Sequence, residues 1–97
     1  MIYEIIISPL ADAELYESAL WYNEQKEHLG IEFIEEVEIA LNLLKSNPFL
    51  CAVVHADFRM ALMKRFPFEI FYSIDDNRIL IHHIFHSSRN PKIWKNK

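Results

Sequence analysis

RFPFEIFYSIDDNRILIHHIFH, residues 65–86, is two apolar runs on either side of Asp75-Asp76-Asn77. Both runs are rich in β-branched and aromatic residues, which suit a pleated, half-buried surface. Asp and Asn bond to their own backbone and tolerate the left-handed region, so the polar triplet reads as a tight turn. The runs therefore form a β-hairpin, Phe68 to Ile74 and Arg78 to His86. Pro67 has no N–H to give to a ladder and marks a strand start or a bulge. A further strand is expected just upstream, from Phe58 to Phe66.

Working towards the amino terminus, Phe49 to Ala56 reads as a connector. Ser46-Asn47-Pro48 stops a helix that begins near Ile31. Phe33, Val37, Leu41 and Leu44 form its buried stripe, and Glu32, Glu35, Glu36 and Glu38 its solvated one. Ser8-Pro9 reads as the cap and first residue of an earlier helix, where the missing proline N–H costs nothing. That helix runs to about Lys26, with Ala11, Leu15, Ala19 and Tyr22 inward and Leu20 beside them. Gly30, the single glycine, falls between the helices and is expected as a left-handed cap. Ile2 to Ile7 is a short β-branched strand. The order β-α-α-β-β-β, with a helical hairpin on one face of a mainly antiparallel sheet, is an α+β fold.

The chain has 97 residues and reads as a single domain, residues 1–97, with a basic tail from about residue 87. A 52% hydrophobic composition supplies a core and argues against disorder. The amino terminus lacks the basic region of a signal peptide, and no apolar run reaches the ~20 residues of a membrane span. Cys51 has no intrachain partner, so a reducing cytoplasm is expected. Charge is divided: residues 1–50 hold two lysines against ten acids, and residues 51–97 hold eight Lys and Arg against four acids. A local basic patch on the second half is therefore open despite the net charge of −4.

Four of the five histidines lie in the second half. Strict alternation puts Ile79, Ile81, His83 and Phe85 on one face of the last strand, and Leu80, His82, Ile84 and His86 on the other. His82 and His86 would then stand ~13 Å apart at ~3.3 Å per residue, too far to share an ion, so no metal site is expected. His86 ends a strand before Ser87, Ser88 and Arg89. It either anchors the tail or serves as a general acid/base on a ribose-phosphate backbone, with Arg65 and Arg89 on the phosphate. Arg59, Lys64 and Arg65 either guard a sheet edge or contact phosphate or an acidic peptide. Glu69 either faces solvent or pairs with an arginine. Trp94 reads as a latch folded back from the tail.

RFPFEIFY (residues 65–72), the acidic turn, the strand and HSSRNPKIW (residues 86–94) together resemble the RelE/ParE superfamily of bacterial type II toxins. SPLADAELYESALWYNEQ (residues 8–25), the glycine near the second helix and the SNPF ending are similar too, so the resemblance spans about Ser8 to Trp94. It implies a growth-inhibiting toxin of a toxin-antitoxin system, of the kind linked to plasmid stabilization, neutralised by a cognate antitoxin. The RelE-like branch cleaves ribosome-bound mRNA; the ParE-like branch poisons DNA gyrase. Glu69 stands where RelE-like nucleases often carry a middle-strand arginine, and its carboxylate would repel a phosphate. RFPFEIFY and HSSRNP are closer to ParE-like members, which implies target binding, through Arg59, Arg65, Glu69, His86, Arg89 and Trp94. The alternatives are an mRNA endonuclease built on His86, Arg65 and Arg89, or an inactive interaction module. No cofactor is implied. The oligomeric state is open between a homodimer and a toxin-antitoxin hetero-oligomer.

Overall fold

Ser8 and Pro9 start the first helix as their chemistry requires. In the computed structural model, which describes residues 2–87, Ser8 Oγ accepts the Ala11 N–H at 3.0 Å, and Pro9 opens α1, Pro9–Gln25. Before it lies β1, Glu4–Ile7. After it come α2, Leu29–Ser46, and four strands: β2, Val53–His55; β3, Phe58–Leu62; β4, Phe68–Asp75; and β5, Arg78–His86. The sheet order is β1-β5-β4-β3-β2. The β1–β5 pair is parallel and the other pairs are antiparallel. The two helices cover one face, giving the expected α+β architecture. Residues 49–56 are more than a connector, because β2 lies among them and pairs with β3 through Val53–Arg59 and His55–Phe58. The strand expected to reach Phe66 ends at Leu62.

The stripes expected of the helices meet the sheet. Ala11, Leu15, Ala19 and Tyr22 of α1 join Phe33, Val37, Leu41 and Leu44 of α2 over Phe68, Ile70, Tyr72, Ile79, Ile81 and Ile84. An aromatic group centres this core: the rings of Tyr22 and Phe33 lie 5.2 Å apart, and each lies 4.7–6.1 Å from those of Phe66 and Phe68, in the range where tilted and edge-to-face pairs attract. Leu20 does not join the stripe and is exposed.

Gly30 serves a different purpose from the expected cap. The left-handed residue between the helices is His28, with φ 69, and Gly30 is buried in the first turn of α2. Its N–H, one of the donors a helix start leaves without an internal partner, is taken by Asn23 Oδ1 of α1 at 2.8 Å. A Cβ there would overlap the Ala19 carbonyl oxygen and stand 2.9 Å from Asn23 Oδ1. The glycine is needed for close helix approach and not for its φ.

The alternation expected along β5 breaks at His82. Phe71 pairs with His83, and the next residue, Tyr72, pairs with Ile81. His82 is the extra residue of a β-bulge, which switches the facing of the residues after it. Ile79, Ile81, Ile84 and His86 therefore face the helices, and Phe85 turns to the open side with His83.

Gly30→Ala should cost about 1–3 kcal/mol through overpacking, and Asn23→Ala about 1 kcal/mol through the lost bond. Both should appear in urea melts as lower midpoints with an unchanged slope. An unaltered Gly30→Ala midpoint would contradict the close helix contact.

Candidate functional site

Register sorts the candidate residues by face. β4 presents Phe68, Ile70 and Tyr72 to the helices, and Glu69, Phe71 and Ser73 to the open side. Across from these, Glu69 meets Leu62 of β3 and Phe85 of β5. Phe71 meets Met60 and His83 and stacks on Phe58 at 5.0 Å. Ser73 Oγ lies 2.8 Å from His82 Nε2, and the Phe58 ring edge meets the His82 ring at 4.9 Å. The sheet face away from the helices thus carries an aromatic and imidazole cluster in which Phe71 and Phe85 are buried. Burial pushes His82 below the ordinary imidazole range, the neighbouring His83 adds to that, and Asp57 opposes it.

Glu14 of α1 reaches the edge of this cluster. Its Oε1 accepts the Ile84 N–H at 2.9 Å, and its Oε2 lies 3.3 Å from His83 Nδ1. Sequence reasoning missed Glu14, since one acid beside Leu15 carries no spacing signal. It also missed Tyr72, whose hydroxyl donates to the Pro48 carbonyl at 2.7 Å inside the core. Burial pushes that phenol up beyond its usual range.

The predicted residues separate. Arg59 donates to the Cys51 carbonyl and lies over the Phe49 ring, so it clamps the segment after α2. Arg65, between β3 and β4, pairs with Glu32 of α2 and lies over the Phe66 ring. The Arg65 hydrogen bond holds the Glu32 carboxyl below its usual value. His86 lies edge-on to Phe68 at 5.3 Å, on the helix side, whereas Glu69 is on the open side. Arg89 and Trp94 lie outside the described residues. Among the described residues no group of three or more His, Cys, Asp or Glu is placed to hold a metal ion. The bulge, however, removes the strict alternation from which the spacing of these histidines is read. No helix among them is long and apolar enough to cross a membrane.

A folded His82 with a lowered pKa takes up a proton less readily than the unfolded chain does. Its contribution therefore makes stability rise with pH through the range near the ordinary value of 6.5 and level off above it. His82→Asn should flatten that part of the slope in denaturation midpoints measured from pH 5 to 8. A slope identical to the parent's would contradict the assignment.

Known proteins place this arrangement. A search of curated proteins returned no match. Among solved structures, the chromosomal ParDE toxin-antitoxin system of Pseudomonas aeruginosa includes a chain similar in fold, with a TM-score of 0.77 at 15% identity, covering 88% of this chain and 96% of the other. The toxin-antitoxin complex RelBE2 of Mycobacterium tuberculosis includes another, with a TM-score of 0.64 at 17% identity, covering 89% and 99%. At these identities the likeness is one of fold. The family model described as the ParE toxin of the type II toxin-antitoxin system parDE matches residues 5–91. The chain belongs to this ParE toxin family.

Proposed function

We propose that this protein arrests growth by binding a macromolecular target in the cytoplasm, with DNA gyrase the foremost candidate, and that a cognate antitoxin neutralises it. One observation carries the preference for binding over cleavage. Two of the groups the endonuclease reading needs are engaged elsewhere: His86 turns to the helix side against Phe68, and Arg65 is paired with Glu32 of α2. Phosphoryl chemistry requires acid, base and cation to converge within hydrogen-bond reach of one reacting group. The family match over residues 5–91 and the ParDE neighbour support the same reading.

On this reading the contacts expected of Glu69, Arg89 and Trp94 remain, whereas Arg59, Arg65 and His86 serve the scaffold through Cys51, Glu32 and Phe68. Neutralisation by a segment that folds onto the toxin suits a small domain of this kind.

Purified chain added to gyrase should block supercoiling of relaxed plasmid, and the protein encoded by the neighbouring small reading frame should restore it. Uninhibited gyrase, together with codon-spaced cuts in translated mRNA seen by primer extension, would overturn the proposal. It would favour the endonuclease built on His86, Arg65 and Arg89. Absence of growth arrest on induction without that neighbour would point to an inactive interaction module.

A further inference from the structure

Helix α1 is apolar on two sides. One stripe, Ala11, Leu15, Ala19 and Tyr22, is buried. At about 100° per residue, positions 10, 17, 20, 21 and 24 fall together on the opposite side. They are Leu10, Glu17, Leu20, Trp21 and Glu24. Leu10 is 54% exposed, Leu20 66% and Trp21 49%. Exposed apolar side chains scattered singly are ordinary, but Leu20 and Trp21 stand together on one exposed side, flanking Glu17 and Glu24, and such a patch that includes tryptophan marks an interaction surface. Glu17, Ser18, Leu20, Trp21 and Glu24 line one open recess of about 270 Å³. The Trp21 ring is held edge-to-face on Tyr22 at 5.1 Å. It is a pre-positioned aromatic anchor, the residue type that carries most energy at interfaces.

Charge selects the occupant. No Lys, Arg or His occurs between Pro9 and Gln25, and the carboxyl end of a helix adds partial negative charge. A second copy of the chain docked here by a twofold axis would set Glu17 and Glu24 against the same acids. A helix that brings apolar side chains to Leu20 and Trp21 and cations to the two glutamates would satisfy both features. We propose that this outer stripe of α1 docks an amphipathic helix of the antitoxin whose apolar positions are flanked by Lys or Arg. The inference rests on the antitoxin reading above and adds where and by what chemistry that partner is held.

Calorimetric titration of the purified chain with the protein of the neighbouring reading frame tests it. Leu20→Glu should weaken binding roughly tenfold or more. Glu17→Lys with Glu24→Lys should weaken it and invert its salt dependence. Both variants alter exposed positions, so melting temperature and gyrase inhibition by the free chain should match the parent. Unchanged affinity in Leu20→Glu, with the parent binding normally, overturns the docking site and leaves the proposed function standing. A parent that does not bind this protein overturns both. A dimer of the chain alone that Leu20→Glu dissociates overturns it in favour of a second copy.

Discussion

Where β1 ends opposite Ile81, β5 continues to His86 with no further β1 residue beside it. The exposed backbone donors and acceptors of such an edge need partners if they are to be buried. Here the start of α1 supplies them. The Ser8 N–H donates to the Ile81 carbonyl at 3.0 Å, Ser8 Oγ donates to the His82 carbonyl at 3.2 Å, and Glu14 accepts the Ile84 N–H. The cap residue Ser8 and the Glu14 side chain of α1 thus extend the ladder that β1 began. The rest of the structure depends on this junction. It sets the rotation of α1 over the sheet, and with it which stripe enters the core and which looks outward. It also lies at the His82 bulge, where the facing of β5 changes.

That change of facing bears on function. Without the bulge, His86 would lie on the same side as Leu80 and His82, and an acid/base group could share a face with Glu69 and the open-side aromatics. With it, His86 turns in against Phe68, while His82 and His83 join Phe58, Phe71 and Phe85 on the open side. Arg59 and Arg65 are anchored to Cys51 and Glu32, so these two cations hold segments of the chain together. The exposed features left over among the described residues are apolar and acidic stripes on the helices, since Phe71 and Phe85 on the far sheet face are buried. These are suited to protein partners more than to nucleic acid, whose binding is driven by neutralising phosphates.

Much of this is legible in the residues. The two helical stripes, the Ser8-Pro9 start, the Asp75-Asp76-Asn77 turn and the final hairpin follow from periodicity and turn chemistry. The departures have physical causes. β2 and its turn are hidden because Ala56, with φ 51, takes a left-handed turn position without the glycine or asparagine that signals one. Gly30 reads as a residue of backbone freedom, whereas its missing side chain is the point. That depends on how closely Ala19 and Asn23 approach, a tertiary fact. A bulge leaves no mark in a run such as ILIHHIFH, so every side-chain facing beyond His82 is the reverse of the one alternation gives. The inward facing of His86 follows from that one inserted residue, and the role of Glu14 is hidden because its partner Ile84 is seventy positions away.

The central claim is the proposal that this ParE-family chain acts by recognition and that His86, set against Phe68, is not a catalytic group. Growth arrest on induction of His86→Gln, with the purified variant's melting curve as a check on folding, tests it most directly. The account predicts arrest equal to that of the parent chain. A variant that melts like the parent but no longer arrests growth would contradict it and return His86 to an active site.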